Sequence, residues 1–417
     1  MFRFALAALA CPLLLAQDDL RQRVNDALTA ARPALLDHLQ AATQPETRAG
    51  ELALLVLAAL HDGVDSKDPI LSKAVQRLAK ADPDETYDVA LRLMVLEAHP
   101  DFPDRDKLAA RDAKELLSHR GKKGCFSYTQ NAGNWDLSNT QYGALGLRSA
   151  TALGIKIERS VWTELAHELC EQQDSYGGFN YTNRARNADA YASMTAAGIA
   201  VLAICRQQLG DRHSLASSLD QHIGRGWQWF ARNEDVVGSP RERWSFYFHY
   251  GLERAAILTD IDKVGKFDWY TKGAQMLVDL QLPGGGWRSD TDGYPGTHLG
   301  QGRGNSVSTA FAILFLRRKF QKNVAAITPH IVTLAAVGRY SKDADVDACA
   351  DELTRRGKAA MPDVLFALRS DIEPQRRAAA KALLAIAGET FGYDAKADAE
   401  TNQQAVRSAE LWYLRHR

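Results

Sequence analysis

The chain has no excess of charge of either sign. Lys plus Arg and Asp plus Glu both number 51 in 417 residues. A balanced chain has no field to attract a polyanion or an acidic membrane surface, so no nucleic-acid partner is expected. Cysteine is scarce as well. Cys11, Cys125, Cys170, Cys205 and Cys349 form no C-x-x-C pair and no metal-ligand spacing, which excludes a disulfide framework and a sequence-local zinc site. Long apolar runs are missing, the N-terminal one from Phe4 to Ala16 being too short to span a bilayer. No segment alternates apolar and polar residues with β-branched enrichment, so a sheet-based domain is not expected. G-x-S-x-G, P-loop, H-E-x-x-H and Gly-Cys-Gly-Glu-Gln runs are absent, which removes the common hydrolase, nucleotide, metalloprotease and thioester readings. The glycines of Gly300 to Asn305 follow no strand and read as a loop.

What is present is helix. Residues 1–16 place Arg3 before the short apolar run, and Asp18 and Asp19 after it. This reads as a secretory signal peptide cleaved after Ala16, which makes the protein extracytoplasmic, periplasmic or secreted, the other reading of the run being a buried helix. Ala8-Leu9-Ala10 before Cys11 resembles a bacterial lipoprotein cleavage box, which implies a lipid anchor at Cys11 as the alternative.

Beyond the leader, apolar segments rich in small residues return roughly every fifty to sixty residues. They begin at Ala49, Glu85, Ser138, Ser193, Trp244 and Ser306. Between them lie amphipathic segments with charged outer faces, such as ILSKAVQRLAKA from Ile70 and DWYTKGAQMLVDLQ from Asp268. A helix apolar all round is buried, and a helix with one apolar stripe faces solvent on its other side. Six outer helices, each expected to pair with the inner helix that follows, close into a double ring. The fold class expected is all-α: an α/α-toroid of about six helical hairpins over residues 17–322. A helical annex follows over 323–417, HEAT-like from Met361, with Pro362 and Pro374 at helix starts.

The connectors carry the sharpest signals. Gln173 precedes Gly177-Gly178-Phe179-Asn180-Tyr181, Gln281 precedes Gly284-Gly285-Gly286-Trp287, and Gly121 to Tyr128 is a degenerate third copy. Glycines there permit positive φ where an outer helix ends. The stretch Thr271 to Trp287, with Lys272, Gly273, Gln281, Gly285 and Trp287, resembles the QW repeat of triterpene cyclases. Together with the repeated hairpins it makes residues 18–320 similar to the squalene-cyclase and protein-prenyltransferase superfamily. Closer still, the chain resembles bacterial proteins with squalene-cyclase-like repeats from planctomycete-type genomes, a group that brings no reaction with it.

The resemblance implies chemistry that the residues do not supply. Class II cyclases protonate an alkene with a D-x-D-D cluster leading into Thr-Ala, but here Ser306-Val307-Ser308 precede Thr309-Ala310, and no hydroxyl is acidic enough for that step. Prenyltransferases hold zinc with an Asp, a Cys and a distant His. At Asp189-Ala190-Tyr191 a tyrosine stands in for the cysteine, with His249 or His298 as third ligand. No metal and no cofactor are expected.

Residues of glycan-type chemistry do occur. Catalytic candidates are Tyr247, His249, Tyr250, Glu253 and Arg254, of which Tyr247, Tyr250 and Arg254 share one helix face, with Asp290 and Asp292 in a glycine-rich loop. Ligand-binding candidates are Trp135, Asn139, Tyr142, Tyr181, Tyr191, Trp244 and His298. The plainer alternative is core and rim packing, with Glu253 and Arg254 satisfying one another, and loop aspartates that are merely solvated. The leading expectation is a binding or scaffold protein, holding an apolar or glycan ligand in a central cavity or a protein partner on the annex. The competing one is an enzyme: a glycan lyase or hydrolase, or an isoprenoid enzyme of unusual mechanism.

Overall fold

The computed structural model describes residues 12–416, apart from 122, 131–133, 183–189, 265–266, 290–298, 301, 325–341, 371–372 and 398–400. The chain divides into two compact units, Met1–Arg318 and Lys319–Arg417.

The first unit is an all-α toroid. Its outer helices are α1 (Pro12–Ala41), α3 (Pro69–Lys80), α5 (Arg105–Ser118), α7 (Arg159–Gln172), α9 (Ala216–Arg232) and α11 (Trp269–Asp279). Its inner helices are α2 (Ala49–His61), α4 (Thr86–Ala98), α6 (Leu137–Ala152), α8 (Ala192–Leu209), α10 (Ser245–Thr259) and α12 (Ser306–Val324). The only strands among the described residues are two hairpins of two-residue strands, Lys263–Val264 with Phe267–Asp268 and Leu299–Gly300 with Gly304–Asn305.

Neighbouring inner helices pack on one another in sequence order from α2 to α10. The expected pairing of each outer helix with the inner helix after it holds only in part. Helices α3, α5 and α9 lie more closely against the inner helix before them, and α1 and α7 against the one after. One seam is fastened by a buried ion pair, Arg92 of α4 gripping Asp112 of α5 through two bonds of 2.7 and 2.6 Å. The first hairpin closes the ring on the sixth. Gln281 Nε2 donates to Ala27 O at 2.7 Å, Arg317 pairs with Asp62 at 2.7 Å, and Ser306 Oγ donates to Glu51.

Three connectors share one construction. Leu282 N–H donates to Gly286 O, Asp174 N–H to Gly178 O and Gly121 N–H to Cys125 O, so each turn folds back on itself. Gly285, Gly177 and Gly124 take φ of 87, 91 and 86°. A Cβ on Gly285 would stand 2.0 Å from Ala30 O and one on Gly177 2.3 Å from Arg225 O, so only glycine lets the turn lie on the neighbouring outer helix. Gln281 and Gln173 each brace the glycine carbonyl four residues on, at 2.7 and 2.9 Å. In the degenerate copy Arg120 does the same for Gly124 at 3.3 Å. The aromatic residue then plugs the next inner helix: Phe126, Phe179 and Trp287 donate their N–H to Thr140, Thr195 and Thr309 at 3.1, 3.2 and 3.1 Å. The rings of Phe126 and Phe179 lie on Gly143 and Gly198, where a Cβ would collide at 2.5 Å.

α1 spans the cleavage point expected after Ala16, and its first buried side chain among the described residues is Val24. No described helix is long and apolar enough to cross a membrane.

The second unit has its own apolar core. α13 (Asp343–Arg356), α14 (Met361–Ala367), α15 (Glu373–Ala387) and α16 (Gln403–His416) gather Leu353, Met361, Leu368, Leu383 and Val406. Arg377 and Lys381 of α15 pair with Asp343 and Asp347 of α13, which fixes the register of the two helices. Residues 325–341, near the start of the expected annex, lie outside the described residues.

Candidate functional site

Alternation of outer and inner helices makes all the inner helices parallel, so their N-terminal ends gather at one mouth of the ring. Backbone bonds tie the mouth together: Thr86 N–H donates to Tyr128 O and Leu137 N–H to Tyr181 O, each at 2.8 Å. Parallel dipoles favour carboxylates there, and the mouth carries Glu51, Asp88 and Asp136.

Asp136 caps α6. Its carboxylate accepts from Asn139 N–H at 2.8 Å, Ser138 Oγ at 2.7 Å and Asn139 Nδ2 at 2.7 Å. Tyrosines surround it. Tyr128 and Tyr181 touch through their hydroxyls at 3.2 Å and are 46% and 37% exposed, and Tyr191, at the N-cap of α8, is 37% exposed. Burial raises the Tyr181 phenol above its ordinary pKa, with the Tyr128 hydroxyl and the Asp136 charge adding to it. Burial raises Tyr191 too, opposed by the nearby Arg243 guanidinium. The Tyr181 and Tyr191 phenols are neutral donors at any physiological pH.

Beneath them the channel is crossed by aromatic rings. Tyr87 of α4 meets Tyr142 of α6 at 4.3 Å between centroids, Tyr142 meets Tyr247 of α10 at 6.3 Å, and Tyr247 meets Phe311 of α12 at 6.2 Å. Tyr250 stacks on Phe311 at 5.3 Å. Tyr247 Oη donates to Gln141 at 2.8 Å, and its phenol, raised by burial, also bonds Tyr87 on the opposite side of the ring.

The sequence candidates therefore separate into groups. Tyr247, Tyr250 and Tyr142 belong to the crossing, while Tyr181 and Tyr191 stand at the mouth. Asn139 is fully buried in the first turn of α6, beside the Asp136 cap, and Trp135 is half-buried just before it. Trp244 is the N-cap of α10, half-buried, with Arg243 over its ring at 5.4 Å. His249 is turned away from Tyr247: its Nε2 accepts Gly238 N–H at 3.0 Å and its Nδ1 lies 2.7 Å from Ser245 O. Nε2 holds the Gly238 loop to α10 while Nδ1 is bonded within the helix, and burial lowers the imidazole to about 4. Glu253 and Arg254 satisfy each other through two bonds of 2.7 Å, with the guanidinium over Tyr250 at 5.4 Å. Asp189, Asp290, Asp292 and His298 lie outside the described residues. Among the described residues no three His, Cys, Asp or Glu side chains group as a metal would need.

Sequence reasoning passed over Tyr87, Tyr128, Asp136 and Gln141. The repeat offers the signal that finds them, because Tyr128 and Tyr181 both stand two residues after a Phe, and Asp136 and Tyr191 both stand four before the anchoring threonine. Asp88, in the first turn of α4, was passed over too. Burial pushes its carboxyl up to about 6, opposed by Arg48, and Arg48 reaches Oδ1 only at 3.7 Å.

No protein-family model matches the chain, and no curated protein does. Among solved structures it is similar to one described as a possible member of the GH105 family from Klebsiella pneumoniae, at 12% identity and TM-score 0.49, over 72% of this chain and 94% of that one. The type II terpene cyclase MstE from Scytonema is similar at 12% identity and TM-score 0.45, over 72% of this chain and 99% of that one. A possible GH105 member from Salmonella enterica has 12% identity and TM-score 0.45, over 70% and 94%. At such identity no residue's role passes from these proteins to this chain.

Proposed function

We propose that this chain is an exported binding protein that holds a hydroxyl-rich ligand, of the glycan class, at the mouth of its toroid. Its kinship is with the squalene-cyclase and prenyltransferase toroids, whose turns it keeps and whose acid motif and cysteine ligand it has lost. The observation that carries the reading is the ring of half-exposed phenols, Tyr128, Tyr181 and Tyr191, around the capped carboxylate of Asp136. Flat aromatic faces beside fixed donors and acceptors suit a ring with an apolar face and hydroxyls at its edge. The aromatic crossing beneath argues against a long isoprenoid, which needs an open apolar bore.

Titration calorimetry against neutral oligosaccharides tests this. Binding is expected, and Tyr181→Ala should weaken it about tenfold, or ~1.4 kcal/mol. An isoprenoid retained by the purified protein in native mass spectrometry, with no oligosaccharide bound, would overturn the reading.

Turnover of the same ligand is a second reading, favoured by the Asp88 carboxyl, which holds its proton to about pH 6. Release of reducing ends that Asp88→Asn abolishes supports it, and none from a bound oligosaccharide excludes it.

A further inference from the structure

The third residue of each inner helix falls at one register of the repeat. Counted three on from the N-caps Arg48, Glu85, Asp136, Tyr191 and Trp244, these residues are Glu51, Asp88, Asn139, Met194 and Tyr247. Ser308 is the sixth, since Asn305 caps α12 by accepting Ser308 N–H at 2.7 Å. Tyr247 shows where the position faces. From α10 its ring meets Tyr142 of α6 and Phe311 of α12, and its hydroxyl reaches Gln141 of α6 at 2.8 Å. Tyr142 and Phe311 stand three residues after Asn139 and Ser308, so the latter two lie on the channel face of their own helices, one turn nearer the mouth. Both are fully buried, and Asn139 Oδ1 and Ser308 Oγ have no hydrogen-bond partner in the protein. Asp88 Oδ1 has Arg48 only at 3.7 Å. Neither Asn139 nor Ser308 is needed to cap its helix, because Asp136 and Asn305 already accept their amides at 2.8 and 2.7 Å. A buried oxygen left in this state destabilises the fold, and an apolar side chain would avoid that. Such oxygens, repeated at one register and on one face, point to a donor from outside the chain.

We infer that the toroid recognises the end of a glycan chain: the terminal sugar enters the mouth, and its hydroxyls donate to Asn139 Oδ1, Ser308 Oγ and Asp88 Oδ1. The inference rests on the glycan reading above and names the part of the chain that is held. Acceptors suit that part, because a chain end carries a hydroxyl that an inner sugar has lost to its linkage. The aromatic crossing one turn below floors the channel, so a chain does not thread through it and only an end goes in. The half-exposed phenols of Tyr128 and Tyr181 flank the chain at the rim.

The test measures calorimetric binding of cello-, manno- and malto-hexaose, each with free ends and with both ends capped, by a 4,6-benzylidene group at one and 2-aminobenzamide at the other. Expected is binding of a free-ended hexasaccharide and a loss of about a hundredfold once both its ends are capped. In Ser308→Ala the affinity should fall about tenfold, with a melting temperature equal to the wild type or higher, because an unpartnered buried oxygen has been removed. A structural role for Ser308 would move the melting temperature the other way. Equal binding of the capped and free hexasaccharides would show that inner sugars are held, and the inference fails while the glycan reading stands. It fails in the same way if Ser308→Ala binds as the wild type does, or if Ser308→Ala melts markedly lower and Ser308 is thereby a packing residue. If the wild type binds no member of the panel, or Tyr181→Ala binds unchanged, the glycan reading itself fails and the inference with it.

Discussion

The two ends of the inner ring are built on opposite terms. At the C-terminal ends, charges are spent on each other across helix boundaries. Asp62, with its carboxylate fully buried, takes Arg32 at 2.8 Å and Arg317 at 2.7 Å, joining α1, α2 and α12. Glu97 at the end of α4 accepts from Ser149 at 2.6 Å and Arg148 at 3.4 Å on α6. At the N-terminal mouth the carboxylate of Asp136 is capped by its own helix, phenols are half-exposed, and Asp88 is held at arm's length from Arg48. Arginines at helix C-termini suit the macrodipole, so one end is fastened by its polar groups and the other keeps polar groups to offer.

The comparison breaks first at Asp62. Asp62→Ala strands two arginines and should cost about 3–5 kcal/mol in urea unfolding. A loss no larger than that of Tyr181→Ala would show that the C-terminal belt is not the fastened end.

A smaller effect concerns depth rather than end. His249 has its folded pKa lowered from 6.5 to about 4, so the unfolded chain takes up a proton that the folded chain refuses. Stability is therefore lost as pH falls from about 6.5 toward 4, by about 3 kcal/mol at the limit. A denaturation series across that window should show the loss, and His249→Asn, less stable at neutral pH, should show a flatter profile. Equal slopes for the two proteins would remove His249 as the cause.

The smallest lies at the mouth. Asp88 has its folded pKa raised from 3.8 to about 6, so the folded chain holds the proton longer. The sign is opposite to that of His249: stability is greatest below about pH 4 for this group and is lost as pH rises through 6. Asp88→Asn should then gain about 3 kcal/mol above pH 6 and nothing in acid. A destabilised Asp88→Asn at neutral pH would mean that Arg48 needs the charge, and the mouth would be as fastened as the far end.

The architecture was legible in the sequence because inner and outer helices differ in kind. The apolar run from Ala49 and the amphipathic ILSKAVQRLAKA begin within a residue of α2 and α3. The same property hid the site. An inner helix that is apolar all round has no stripe, so periodicity does not say which side faces the channel, and Tyr87 and Gln141 were lost among core residues. His249 looked reactive because composition does not reveal that both of its nitrogens are occupied. Arg120 doing the work of Gln173 and Gln281 shows the limit of motif reading, since the turn needs a donor at that place rather than an amide.

The closure of the ring sets an order of events. Glu51 and Ser306 bond across 255 positions of chain, as do Asp62 and Arg317. Until the sixth hairpin exists, α2 has an apolar flank with no neighbour, and a partly made chain is a strip with two sticky edges. Docking of those edges is the most non-local contact in the unit and so its slowest step. Pulse-labelled hydrogen exchange should find the amides of α2 and α12 gaining protection together and last, after those of α6 and α8. Early protection of α2 alone would contradict it.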